Sequence, residues 1–268
     1  MKRHAFKAIL ILSIVLIGAL VMWLDPTGAV FNLPGLVVVV CGTFVATVLG
    51  QSYGGVMGLL KDLPRKLSRV ALVDEVDLEL FLKASEFHRQ GSVRYAEAVT
   101  RQLGDPFWRA GIQQVLDRIP YADLSRVLQW KIGAQRERDQ SEIQVFMTMM
   151  AFAPAFGMLG TLFGLISMLY GLDMSSLRSL GQHMGFAMLT TVYGLILANL
   201  VLKPIVSRLE QRSRERLAWL HVQQEAILMM HEKCHPRLIQ DYLDAYLAPA
   251  ERLEQVDELS LGAVNQVS

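Results

Sequence analysis

Four stretches of this chain hold no charged residue and are each long enough to cross a lipid bilayer. They run from Ala8 to Leu24, from Val30 to about Gly50, from Val145 to Leu172 and from about Met184 to Leu202. A hydrocarbon core of ~30 Å takes ~20 apolar residues in helical form. Lipid offers no water to the backbone, so each crossing has to satisfy its own N–H and C=O groups, and a helix does so within one segment. In the second stretch Leu33, Val37–Val40, Phe44 and Val48 leave no polar side, as lipid contact demands. Lys2, Arg3 and Lys7 before the first stretch imitate a signal peptide. Yet the stretch is long for one, and Trp23-Leu24-Asp25-Pro26 is no small-residue cleavage site, so it reads as a retained span. Composition agrees: 52% of residues are hydrophobic and 19% charged, against roughly a quarter charged in a soluble domain. The expected class is all-α, a polytopic membrane protein with four transmembrane helices and a helical cytoplasmic domain.

Lysine and arginine placement orients the spans. Lys61, Arg65, Lys66 and Arg69 follow the second span, and Lys203, Arg208, Arg212, Arg214 and Arg216 follow the fourth. The links Asp25–Asn32 and Asp173–His183 hold between them only Arg178. Both termini and the long middle segment are therefore expected in the cytoplasm. The expected organisation is spans one and two in 1–52 (about 8–24 and 30–50) and a cytoplasmic helical domain in 53–144. Spans three and four follow in 145–206 (about 146–171 and 184–203), then cytoplasmic helices and a tail in 207–268. Val76, Leu80 and Ala84 keep helical spacing, and Gly91-Ser92 breaks that helix, with Ser92 placed to cap another over Val93–Leu103. Asp105-Pro106 reads as an N-cap followed by proline at the first helical position. Tyr121–Gln144 is expected to run on into the third span, Lys203–Glu232 to continue the fourth, and Pro236 to start a last helix ending near Pro249.

The chemistry of the chain is marked first by what it lacks. No Walker A, HExxH or GxSxG motif is present, so no enzyme class is indicated. Net charge is +1, which gives no field for nucleic acid. Cys41 and Cys234 fall in an apolar and a polar block and read as unpaired. His231, Cys234 and His235 imitate a metal site but read as a polar helix end, and no metal or cofactor is expected. The span interiors contain no Asp, Glu, Lys, Arg or His. An ion path through lipid normally needs such a group. If this chain conducts ions, another polypeptide supplies the carboxylate.

What the spans do contain is small and hydroxyl residues. Gly157, Gly160, Thr161 and Gly164 stand in the third, Thr190, Thr191 and Gly194 in the fourth. Small residues three and four apart share a face and let helices approach closely. A hydroxyl there either bonds its own helix or coordinates a cation shedding its water. Pro154 within the third span and Pro204 at the end of the fourth each remove a backbone donor.

Ala153-Pro154-Ala155-Phe156-Gly157-Met158-Leu159-Gly160-Thr161-Leu162-Phe163-Gly164-Leu165 resembles the third-span signature of flagellar stator A subunits, the MotA/PomA family within the MotA/TolQ/ExbB superfamily. Leu189-Thr190-Thr191-Val192-Tyr193-Gly194 resembles their fourth-span signature, and His235-Pro236-Arg237-x-Ile239 their C-terminal segment. The resemblance implies a mechanism. Copies of the chain, five in the family, ring two single-span B subunits of MotB/PomB type. Those supply the membrane aspartate, and cation flow past it turns the ring against the flagellar rotor, the C-ring. It further implies conformational coupling at Pro154 and Pro204, an ion path along Thr161, Thr190 and Thr191, and rotor contact through Arg89 and Glu97, eight positions apart, with Arg94 as an added cation. Threonine at 161 resembles the PomA branch and leans to sodium over protons, although TolQ/ExbB transducers, which are proton-driven, also carry such threonines. A TolQ/ExbB-like envelope energiser is the alternative; it usually has one span before the large cytoplasmic segment, where two are expected here.

Overall fold

In a computed structural model, residues 32–51, 56–59, 61, 63, 74–170 and 177–247 are described. The first expected span, the Asp173 end of the second link and the tail after 247 lie outside them. Every regular element among the described residues is helical: α1 (Leu33–Gly50), α2 (Glu75–Arg89), α3 (Val93–Thr100), α4 (Pro106–Leu116), α5 (Tyr121–Tyr170), α6 (Leu177–Ile196), α7 (Lys203–His231) and α8 (Pro236–Leu247). A π-helical segment, Leu197–Leu202, joins α6 to α7. Three continuous helical stretches are long and apolar enough to cross a membrane: α1, α5 and Leu180–His231.

The chain divides into two compact units. The described residues up to 63, with Glu142–Arg208, form the first, and those from 74 to Ser141, with Leu209 onward, form the second. The division falls inside α5 and α7.

The second unit is a helical body around one apolar core. Phe81, Trp108, Ile112, Leu124, Leu128, Ile227, Met230, Ile239 and Leu243 are buried in it. Phe81 and Trp108 lie face to tilted face, centroids 3.9 Å apart, and Trp219 meets Trp108 edge-on at 6.3 Å. Local chemistry sets where the helices start. Asp74 caps α2 by accepting from the Val76 N–H, and Asp105 caps α4 by accepting from the Phe107 N–H, with Pro106 in the first turn as its sequence pairing implies.

Ser92 precedes α3 as expected, but its side chain makes no capping bond. Its own N–H is spent on the Phe87 carbonyl in the turn that ends α2, and that turn sets the Ser92 backbone. The expected helix over Val93–Leu103 stops at Thr100. The reason is Asp77, a buried carboxylate on α2. Its two oxygens accept from the Gly104 and Asp105 N–H groups at 2.7 and 2.8 Å and hold that segment out of helical register. The other Asp105 oxygen accepts from the Gln223 side chain at 2.7 Å, so one acidic pair ties α2, α4 and α7 together.

Asp77→Ala leaves two backbone donors without a partner, and each orphaned donor costs about 1–3 kcal/mol. Chemical unfolding of the detergent-purified chain is expected to show a loss of about 2–6 kcal/mol. A loss within about 0.5 kcal/mol, the range of ordinary surface changes, would remove Asp77 from this role.

Candidate functional site in the membrane unit

In the first unit α5 and α6 run antiparallel along a seam of small residues. A side chain built on Gly194 would lie 2.6 Å from the Ala153 carbonyl oxygen, one on Gly160 2.5 Å from Thr190, and one on Gly164 2.8 Å from Ala187. Gly157 faces the Thr190 carbonyl in the same way at 3.0 Å. All four glycines were expected as packing residues: at Gly157, Gly164 and Gly194 the two backbones approach within van der Waals reach, and at Gly160 the α5 backbone meets the Thr190 side chain. The turn of α5 that holds Pro154 is part of the seam, because its Ala153 carbonyl abuts Gly194. The helix continues through Pro154 without a break.

The seam decides where the hydroxyls stand. Thr190 is fully buried, wedged against Gly160 and close to Gly35 of α1, and it donates to the Ala187 carbonyl at 2.8 Å. Thr190, expected on the ion path beside Thr191, fills the space that three helices share. Thr161 and Thr191 each follow a seam residue by one position and are half-buried. A step of one residue turns a side chain by about 100° around an α-helix. Because α5 and α6 are antiparallel and both right-handed, that step takes both threonines to the same flank of the seam and to nearly the same level.

The opposite flank belongs to α1. Gly35 packs against Phe186 and Tyr193 of α6, and Gly42 packs against Phe156 of α5. The Asn32 N–H donates to the Tyr193 hydroxyl at 2.7 Å, and the Gln51 amide reaches the Thr148 hydroxyl at 3.4 Å, fastening both ends of α1. Thr43 and Thr47, buried on α1, bond their own helix. So among the described residues α1 covers one flank, and no described helix covers the flank with Thr161 and Thr191.

A further polar group, not signalled by the sequence pattern, lies in the π-helical segment. Asn199 is exposed within the π-helical segment and donates to the Leu195 carbonyl at 3.2 Å. The Lys203 N–H bonds the Ala198 carbonyl five residues back, just before Pro204, which has no N–H to offer. The expected disturbance at Pro204 thus takes the form of a π segment ahead of it. Thr161 donates to the Met158 carbonyl at 2.6 Å, which uses its proton and leaves its oxygen lone pairs free to accept.

In the second unit Arg89 and Glu97 do not pair with each other. Arg89 pairs with Glu86 at 3.0 Å, and its guanidinium, followed by Gln90, holds the Glu86 carboxyl below its usual range. Glu97 pairs with Arg101 at 2.8 Å. Arg94 is exposed and has no carboxylate partner among the described residues. Among the described residues no cluster of histidine, cysteine and carboxylate side chains forms a metal site.

Comparison with known proteins places this geometry in a group. Residues 99–221 match the MotA/TolQ/ExbB proton channel family. YtxD of Bacillus subtilis is 30% identical over 200 residues, 73% of each chain. Motility protein A of Treponema phagedenis is 29% identical over 230 residues, 85% of this chain and 88% of the relative. Chemotaxis protein PomA of Vibrio alginolyticus is 28% identical over 256 residues, 94% of this chain and 95% of the relative. The flagellar MotAB stator complex of Bacillus subtilis holds a chain of the same fold, with a TM-score of 0.73 at 22% identity over 89% of this chain and 97% of that one.

The seam makes a graded prediction. Gly194→Ala puts a methyl group against a backbone oxygen and is expected to push α5 and α6 apart, with loss of motility and lower membrane levels. Gly185→Ala meets nothing within 4 Å and is expected to be neutral. Quantitative immunoblots of membrane fractions together with swarm assays check both; equal behaviour of the two variants would refute the seam.

Proposed function

We propose that this chain, which belongs to the MotA/TolQ/ExbB proton channel family, is the A subunit of a flagellar motor stator, with Thr161, Thr191 and Asn199 lining one side of its ion path. The observation that carries the path is the flank that no described helix covers: Thr161 and Thr191 stand there at nearly the same level, on a helix pair with no ionisable residue in its span interiors, and Asn199 is exposed further along the same helical stretch. Hydroxyl and amide oxygens replace part of a cation's hydration shell, but they do not take and release it in steps as a carboxylate does. The missing carboxylate belongs to a partner helix seated on that flank, a single-span subunit of MotB/PomB type. Repetition of the chain around that partner, five copies by family likeness, encloses the path on all sides.

Pro154 acts beside this wall, at the level of Gly194, and Pro204 acts beyond Asn199 where the π segment ends. Each lacks a backbone donor, so the helix around each bends at lower cost than an unbroken ladder does. Pro154 lies in the turn that touches Gly194, where a small change in α5 moves α6. The chain sits in the inner membrane with both termini in the cytoplasm, and its second unit works on the C-ring of the rotor through Arg89, Glu97 and Arg94. The TolQ/ExbB alternative lies in the same family and is separated by the partner: a single-span neighbour with a peptidoglycan-binding domain supports the stator reading.

The coupled ion is sodium in this proposal, since oxygen ligands at both 161 and 191 suit a cation that sheds water. Swimming speed at fixed pH is expected to rise with sodium concentration and saturate; a flat response would end the sodium reading. Thr161→Ala removes one oxygen ligand, worth about 1.4 kcal/mol, so the half-saturating sodium concentration is expected to rise roughly tenfold while membrane levels hold. An unchanged sodium curve in that variant would take Thr161 off the path.

A further inference from the structure

We infer that the flank of α5 and α6 that carries Thr161 and Thr191 is a compliant bearing, on which Met150, Met158, Met168, Met184 and Met188 re-pack as an apolar partner helix presents them with changing faces. The inference rests on the reading that a single-span partner helix seats on that flank, and it says how that helix is held.

Methionine is not scattered over these two helices. On α5, steps of three and four residues lead from Thr161 through Met158 and Pro154 to Met150 and Met147, and Met168 lies seven residues forward. On α6 the same steps lead from Thr191 to Met188 and Met184. Residues at those spacings share a helix face. Six of the seven methionines of α5 and α6 therefore stand on the flank with the two threonines. Met149 alone falls elsewhere, seven residues before Phe156 and on the α1 side. Met158, Met184 and Met188 are exposed, and Met147, Met150 and Met168 are half-buried. From Met147 to Met168 the stripe is about 30 Å long at 1.5 Å per residue, which is the reach of a helix that spans the hydrocarbon core.

Lipid contact does not account for the stripe. The exposed positions that point away from both the seam and this flank include Leu159, Phe163 and Ile166 on α5 and Val192 and Ile196 on α6, all branched or aromatic. A fixed helix contact does not account for it either, because this unit contains one for comparison. Where α1 meets the pair, Gly35 and Gly42 receive Phe156, Phe186 and Tyr193, and hydrogen bonds from Asn32 and Gln51 fasten both ends. Stiff rings against glycines hold one register. Methionine is unbranched, with three rotatable bonds and a polarisable sulfur, so it refills irregular gaps as the surface opposite changes. Methionine-rich surfaces re-pack on different partners for that reason. One flank of the helix pair anchors, and the other yields.

The test uses the full chain with its B subunit in motile cells. Leucine is close to methionine in volume but branched, so the exchange keeps the apolar contact and removes the adaptability. In the combined variant Met158→Leu, Met168→Leu, Met184→Leu, Met188→Leu, motor speed at low load is expected to fall roughly threefold, because each change of register crosses a higher barrier. Stall torque, membrane levels and copurification with the B subunit are expected to hold. Met149→Leu is expected to change none of these. If the fourfold variant does not reach the membrane, Met184→Leu with Met188→Leu reads the same quantity. Unchanged low-load speed at wild-type membrane levels would overturn the inference. So would a slowing matched by equal losses of copurification and stall torque, which is the mark of ordinary packing. Met188→Cys tests the seat by itself, in a chain with Cys41→Ala and Cys234→Ala: disulfide crosslinks to cysteines placed in the B-subunit span are expected. Crosslinks only to cysteines in the first span of this chain, or none, would take the partner off the flank and end the underlying reading. Crosslinks to the B subunit together with a normal leucine variant would end the bearing alone.

Discussion

The close contact of α5 and α6 is the constraint from which the membrane unit follows. Lipid gives apolar side chains no reason to leave it, so helices in a bilayer are held by packing and by local polar contacts. Packing between backbones needs residues without side chains at the points of contact. Gly157, Gly160, Gly164 and Gly194 meet that need, and Thr190 and Ala187 fill what remains. Once the seam is set, the rotation of each helix is set, and so is every other face. Thr161 and Thr191 emerge on one flank because they follow seam residues by one position. Phe156, Phe186 and Tyr193 emerge on the other and receive α1.

The cytoplasmic unit is held by a different principle. Water is available there, so apolar burial supplies the driving force and Phe81, Trp108 and Trp219 sit at its centre. Buried polar groups have to be satisfied, and Asp77 and Asp105 are bonded on both carboxylate oxygens. Where polar chemistry concentrates, the chain departs from simple helical continuation: α3 stops early at the Asp77 contact.

Most of the architecture was legible in the sequence because its signals are local. Uncharged blocks announce lipid, Asp105-Pro106 announces a helix start, and glycines three and four apart announce a packing face. The positions of α5, α7 and α8 follow from such signals. What stayed illegible depends on relations between distant segments. Nothing near Gly104 says that Asp77, 27 positions earlier, will take its N–H. Thr190 and Thr191 look alike in sequence, and only the seam makes one a filler and the other half-exposed. The π segment ahead of Pro204 belongs to the same class, as do the ion pairs of Arg89 with Glu86 and of Glu97 with Arg101.

The coverage of one flank by α1 and not the other bears on the life of the protein before assembly. A copy whose flank with Thr161 and Thr191 has no partner helix turns both hydroxyls towards hydrocarbon, where polar groups are least welcome. Its most stable form in isolation is therefore less comfortable than its form in company, and crowding in the membrane drives association by itself. Synthesis in step with the partner spares the cell a pool of such orphans. Copies left unmatched carry a visible mark for the proteases that clear unassembled membrane proteins.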